Sequence, residues 1–342
     1  MSQSLISWVR EDFGLDLAAV DRVDLGADNN ADLWRCAAPD GRSYAVKLSG
    51  GGTPAGLVAA AHLARNGVEG VPAPLTTADG RVWSERAGRR LSVVPWVSDR
   101  VGAGSMTPEH WRNFGALLAR VHAAPVTGDV ALLPRETYTH ERWVASIRFV
   151  HRKLGLPVPR HGPDGVDGPD GDMGGGYDHV SEAVAKLWAP AADGVMALVA
   201  RADALGAQLR ARQAPGVVCH ADPHLNNVLL GDDGQVWLID WDDATLAPRE
   251  LDLMLLLGGM GRFGPRTEEE HSLLFGGYGP AEPDHDLVVY FRCRRAIEDV
   301  CDWAVQSLDA ERWTVPEREE FLEIVRSTLR PDGIVALALR DV

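Results

Sequence analysis

The spacing of apolar residues divides the chain into a strand-rich first part and a helical remainder. Leu5, Ile6, Val9 and Phe13 recur at helical spacing and predict a short amphipathic helix over about 4–20. From Val23 to Leu48 the pattern becomes DLGADNNADLWRCAAPDGRSYAVKL. It predicts two or three antiparallel strands, with turns at Gly26–Asn30 and Pro39–Gly41. A Gly-rich break at Gly50–Gly52 precedes an Ala-rich helix near Pro54–Asn66. Arg81–Glu85 and Arg90–Val94, joined by an Ala87-Gly88 turn, complete a small sheet carrying one helix.

Past Trp96 the period is mostly helical. Pro108–His122 is a clear amphipathic helix, with Thr107 as N-cap and Pro108 in the first turn. Helical patterns recur over Glu141–Lys153 and Val180–Gln213. Between them, about 155–178, lies LPVPRHGPDGVDGPDGDMGGGYD. It has too little apolar surface to offset the entropy of ordering, which predicts a mobile surface insertion. Its spaced aspartates fit no EF-hand pattern.

A length of 342 residues suggests two lobes rather than one small domain. The apolar and charged shares are those of a soluble globular protein. No run of about 18 apolar residues predicts a membrane span, and Arg10, Glu11 and Asp12 interrupt the apolar core that a signal peptide needs. Cys36, Cys219, Cys293 and Cys301 are scattered without a C-x-x-C pair, as expected of thiols in a reducing cytoplasm. The net charge of −15 argues against nucleic acid as a partner. It favours a cationic small molecule, although solubility accounts for the same charge.

Val218–Asp243 carries the chemistry. VCHADPHLNNVLLGDDGQVWLIDWDD sets His220, Asp222 and Asn227 in H-x-D-x-x-x-x-N spacing. Val228–Leu230 and Gln235–Ile239 then read as two strands around an Asp232-Asp233-Gly234 turn. That hairpin returns Asp240 to the side of Asn227. A phosphoryl-transfer site needs a carboxylate to align the attacking hydroxyl and hard oxygen ligands for Mg²⁺. Asp222 suits the first role, and Asn227 with Asp240 the second. His220 suits loop support by hydrogen bonding. Lys47 ends an apolar strand and can point a fixed charge at nucleotide phosphates. In the turn before it, the backbone at Asp28, Asn29 and Asn30 can cover phosphates. A competing reading takes His220, Asp222 and His224 as an H-x-D-x-H zinc site.

In order and spacing, YAVKL, VCHADPHLNNVLL and LIDWDDATLAPRELDLMLL resemble the aminoglycoside phosphotransferase and choline kinase family. The run after Ile239, with Y-F-R-C-R-R-A-I-E-D-V further on, looks most like its spectinomycin-phosphorylating branch. The resemblance implies an α+β, bilobal, protein-kinase-like fold. Its N-terminal lobe, 1–97, would hold a small antiparallel sheet, and 98–342 a larger helical lobe. It implies Asp222 as catalytic residue, Asn227 and Asp240 as Mg²⁺ ligands, and Lys47 on the phosphates of ATP or GTP. Pro95, Trp96 and Val97 would form the adenine-binding hinge with Val94. His224 stands where protein kinases carry a phosphate-contacting lysine, and packing of the loop is the other role open to it.

The acceptor would be a small cationic hydroxyl compound such as spectinomycin, or a choline-like or amino-sugar metabolite. Glu298, Asp299 and Asp302 on the predicted helix Leu287–Leu308 would bind its amines, with Trp241 as a flat platform. Arg294 and Arg295 could instead pair with those acids, and Trp241 could be a core residue. The implied enzyme is a monomer or weak dimer. One departure stands out: the family pairs the strand lysine with a helix glutamate, and PAGLVAAAHLARN contains no acid. His62, Glu69 or another group would have to hold Lys47, or the chain would be a pseudokinase-type binding module.

Overall fold

The structure is a computed structural model that describes residues 2–23, 30–139, 141–158, 178–212, 214–259, 264–265 and 267–340. Most of the segment expected to be an insertion therefore lies outside the described residues, as do Asp28 and Asn29. The chain forms two compact units. One comprises Met1–Glu136, Pro215–Asp252 and Pro265–Glu282; the other comprises Thr137–Ala214, Leu253–Gly264 and Pro283–Val342. Compactness thus does not divide the chain after Val97. The reason lies inside the first unit: Gly102 N–H donates to Val228 O and Leu230 N–H to Arg100 O, at 2.7 and 2.8 Å. Leu238 N–H donates to Gly70 O at 2.8 Å. These bonds tie the 215–252 segment to the chain before it.

The first unit opens with α1 (Ser2–Phe13), shorter than its apolar spacing suggests. Gly14 takes φ +63° and ends it, and β1 (Ala19–Val23) begins inside the expected helix. β2 (Ala31–Ala37), β3 (Ser43–Ser49), β4 (Ser84–Arg86) and β5 (Arg89–Pro95) complete an antiparallel sheet in the order β1-β2-β3-β5-β4. Val46 pairs with Trp34 and Val93, and Leu48 with Leu91. Leu5 and Val9 of α1 share one apolar cluster with Trp34, Cys36, Val46, Leu48, Leu91 and Val93. Alternation then turns Lys47 to the opposite face of β3. α2 (Ala55–Arg65) follows β3.

α3 (Pro108–Ala123) starts at Thr107, whose Oγ1 accepts from His110 N–H while the His110 ring accepts from Thr107 N–H. Trp111, Phe114, Leu117, Leu118 and Val121 form its buried stripe. In the second unit, α4 (Glu141–Lys153) and α5 (His179–Arg212) match the expected helices closely. α5 is long and apolar enough to cross a membrane on length and composition alone. Val184, Trp188, Val195, Leu198, Val199 and Leu205 are buried, and the helix packs on others of its unit.

Back in the first unit come β6 (Val217–Cys219), β7 (Val228–Leu230), β8 (Val236–Leu238) and β9 (Thr245–Ala247). β7 and β8 form the expected hairpin, and β6 pairs with β9. Asp233 and Gly234 both take positive φ at the hairpin turn, 54° and 78°. α6 (Glu250–Met254) leads toward α7 (Glu268–Tyr278). α3 and α7 meet at bare backbone. A Cβ on Gly115 would overlap Leu274 O, and one on Gly277 would overlap Arg112 O. The second unit then adds α8 (His285–Leu308), α9 (Val315–Thr328) and α10 (Ile334–Leu339).

Candidate active site

The loop after β6 is built on buried backbone hydrogen bonds. Asp252 is fully buried, and its Oδ1 accepts from Ala221 N–H at 2.7 Å. Its Oδ2 accepts from His220 N–H at 2.9 Å and lies 3.0 Å from His122 Nε2. Ala221 is thereby held at φ +71°, a conformation L-residues disfavour. The turn presents Asp222. His122 Nδ1 in turn meets the Tyr278 hydroxyl at 2.8 Å, and burial pushes the Tyr278 phenol up to about 12. The α3–α7 backbone contact thus sets the last member of a chain running Tyr278, His122, Asp252, loop. His122, Cys219 and Asp252 lie close enough to suggest a metal site. Their atoms are instead spent on one another and on backbone, Cys219 Sγ donating to Ala247 O at 3.4 Å.

His220 supports the loop with both ring nitrogens. Nδ1 accepts from Asp222 N–H at 3.2 Å and Nε2 donates to Ile239 O at 2.8 Å. Neither is left for zinc, which removes the H-x-D-x-H reading. His224 stays beside the carboxylate, with Nε2 3.4 Å from Asp222 Oδ2.

A single turn of 3₁₀ helix over Leu225–Asn227 leads into β7. Asn227 Nδ2 donates to Asp222 O at 3.0 Å, which leaves Oδ1 as the atom available to a cation. Ile239 N–H donates to Asn227 O at 2.9 Å and so brings Asp240 alongside. Burial pushes the Asp240 carboxyl up; Lys47 and His220 pull it down, and Asp242 and Asp222 raise it further. Asp240 sits at φ +62°, a backbone conformation L-residues disfavour. An accessible carboxylate and an oriented amide oxygen, both hard donors, suit Mg²⁺.

Lys47 Nζ lies 2.6 Å from Asp242 Oδ2. His62 does not take that place, its Nε2 lying 2.7 Å from Pro125 O. In the expected hinge, Trp96 N–H donates to Ser43 O at 2.9 Å and the indole N–H to Asp99 at 2.8 Å. Pro95 pairs with Tyr44 at the end of β5, and Val97 is half-buried just beyond. Asn30 O accepts from Gly50 N–H at 2.8 Å, closing the β2–β3 strand pair next to Lys47.

The acceptor residues fare differently. Trp241 is only 5% exposed; its indole N–H donates to Leu238 O, and its ring packs edge-on against His220. It is a core residue with no open face for a substrate. Asp299 is paired with Arg295 at 2.8 Å, one turn back on α8. Glu298 and Asp302 are half-buried and one turn apart on the same helix.

Sequence reasoning passed over Asp242 as a partner, although an absent helix acid beside an I-D-W-D-D run was a usable signal. His122 and Tyr278 gave no local signal, because their pairing depends on helix packing.

Fold and site together define a small-molecule phosphotransferase. The chain belongs to the phosphotransferase enzyme family, whose model matches residues 24–288. Spectinomycin phosphotransferase, solved with ADP and spectinomycin, is similar in fold with a TM-score of 0.80. It is 23% identical, with 99% of this chain and 98% of that chain covered. Amicoumacin kinase, solved with AMP-PNP and Ca²⁺, gives a TM-score of 0.59 at 17% identity, covering 98% and 96%. Choline kinase of Streptococcus pneumoniae gives 0.53 at 13% identity, covering 96% and 99%.

Proposed function

We propose that this phosphotransferase moves the γ-phosphoryl group of ATP, or GTP, to a hydroxyl of a small cationic acceptor. The acceptor class is the aminocyclitols and aminoglycosides, with spectinomycin the first candidate. The product is then a phosphorylated antibiotic, and the role is resistance or self-protection. The observation that carries this reading is the hydrogen bonding that gathers Asp222, Asn227 and Asp240: Asn227 Nδ2 donates to Asp222 O at 3.0 Å and Ile239 N–H to Asn227 O at 2.9 Å, with Lys47 meeting the same turn through Asp242 at 2.6 Å. The likeness to spectinomycin phosphotransferase along almost the whole of both chains supports the acceptor class. A net charge of −15 and the half-buried acids Glu298 and Asp302 suit a polyamine-like ligand. Cysteines without disulfide partners suit a reducing cytoplasm.

In this mechanism Asp222 accepts a hydrogen bond from the acceptor hydroxyl and aims its lone pair at the γ-phosphorus. As the new O–P bond forms, the bond from that phosphorus to its bridging oxygen breaks. The nucleoside diphosphate departs and the hydroxyl proton passes to Asp222. Asn227 Oδ1 and Asp240 would hold Mg²⁺, which supplies charge neutralisation on the phosphates. Lys47 adds a fixed positive charge, and the bonds from His220 and Asp252 hold the loop in register. Positioning and charge neutralisation carry most of the rate. A silent binding module has less to recommend it, since Asp242 meets the lysine whose helix partner is absent.

The test is coupled nucleotide consumption with Mg²⁺ against spectinomycin, other aminocyclitols, aminoglycosides, choline and amino sugars. Mass spectrometry then identifies the phosphorylated product. An aminocyclitol is expected to give the highest kcat/KM, and a chelator to stop turnover until Mg²⁺ is restored. Asp222→Asn is expected to lower kcat by about 10²–10⁴. Preference for choline or an amino sugar would move the acceptor class. Full turnover in Asp222→Asn would refute the mechanism.

A further inference from the structure

The contact between Lys47 and Asp242 has a structural cause in α2. That helix begins Ala55-Gly56 and is lined by Ala59, Ala60 and Ala61 on its buried side, with no acid along its length. Gly56 lets it lie flush on the peptide that follows Trp241. A Cβ there would overlap Trp241 O and come within 2.9 Å of Asp242 N. The helix therefore touches the turn after Asp240 with backbone rather than with a side chain. The acid that meets the lysine comes from that turn: Asp242 Oδ2 is 2.6 Å from Lys47 Nζ.

We infer that Asp242 is the positioning residue for Lys47, replacing a helix acid and linking β3 directly to the turn that carries Asp240. The inference rests on the phosphotransfer reading for its consequence, since Lys47 is there to meet the nucleotide. The two partners are 27% and 53% exposed, so the pair is partly screened and its effect moderate. Its value is geometric. Lys47 and the Asp240 turn move as one part, so phosphate contact and metal-ligand geometry are set together.

Two measurements test this, and the first needs no turnover. An ammonium tied to a carboxylate acylates slowly. Brief treatment of the ligand-free protein with acetic anhydride, followed by peptide mass spectrometry, reads Lys47 against Lys153 and Lys186 as internal references. Asp242→Asn is expected to speed acetylation of Lys47 about three- to fivefold and leave the other two unchanged. Asp242→Glu should restore slow labelling. Unchanged Lys47 labelling in Asp242→Asn would overturn the pairing, whether or not the protein phosphorylates any acceptor tried.

The second is a double-mutant cycle in kcat/KM for the nucleotide at saturating Mg²⁺. Asp242→Asn should lower it several-fold in the native background and have no further effect in Lys47→Ala. If its effect persists in Lys47→Ala and the Mg²⁺ requirement rises, Asp242 acts on the metal and not on the lysine, and the inference fails. An inactive wild-type enzyme would instead sink the phosphotransfer reading and leave the labelling result standing.

Discussion

Asp252→Asn isolates what holds the candidate catalytic loop. The native carboxylate is fully buried and accepts from Ala221 N–H, His220 N–H and the His122 ring at 2.7–3.0 Å. Asparagine has one acceptor oxygen. If it keeps the His220 and His122 bonds, its amide group faces Ala221 N–H, donor against donor. An orphaned buried N–H and an orphaned amide cost about 1–3 kcal/mol each, and the surviving bonds lose their charge assistance. A loss of about 2–4 kcal/mol is expected. It should appear in urea denaturation as a lower midpoint with an unchanged slope. Ala221 also loses the bond that keeps it at φ +71°, and it is the residue before Asp222. A shift of about 1 Å in Asp222 costs about 10²-fold in rate, so kcat in still-folded protein should fall by that order. Stability within about 0.5 kcal/mol of wild type would refute the hydrogen-bond argument. Lost stability with unchanged kcat would show that Asp252 supports the core without positioning Asp222.

Three further outcomes are expected. Gly115→Val forces α7 off α3, because its Cβ would overlap Leu274 O. Overpacking of about 1–3 kcal/mol should lower the thermal midpoint, with loss of the Tyr278–His122 bond. In the second unit, hydrogen bonds from the buried Arg318 hold the Asp178 carboxyl well below the usual carboxylate range. That stability is present above the unfolded value of about 4 and drains away as pH falls below it. Acid titration of unfolding should therefore be shallower in Asp178→Asn, which should also be less stable at neutral pH. Finally, burial pushes the Cys36 thiol up to about 12 and the Cys219 and Cys301 thiols well above their ordinary value. Ellman's reagent at pH 8 should label no thiol in folded protein and all of them in urea.

The parts of the candidate site that sit on one short stretch are the ones whose proximity was legible in the sequence. His220, Asp222, Asn227 and Asp240 lie within a loop and a hairpin whose turn chemistry, Asp233-Gly234, is local. The helices at Pro108, Glu141 and His179 were legible from their apolar period, and Thr107 and Pro108 locate the start of α3. What failed depends on packing. The first helix stops at Gly14, where a left-handed backbone overrides an apolar spacing that runs on. Trp241 is aromatic beside an acidic pair, which fits a platform and a core residue equally well; only burial decides. Asp299 faces Arg295 on its own helix, a pairing visible in the spacing but not decidable against a ligand. Lys47 and Asp242 are 195 positions apart, and no local rule joins them.

The contact between α3 and α7 has a consequence for how this enzyme tolerates genetic change. Where side chains interlock, a residue that grows on one helix can be offset by one that shrinks on the other. At Gly115 and Gly277 each glycine faces a main-chain carbonyl, of Leu274 and of Arg112. A carbonyl cannot be trimmed by mutation. Second-site suppressors of a Gly115 lesion must therefore act by moving a whole helix, through the connections at its ends. A screen for restored activity should return changes in those connections, not in the facing residues of α7.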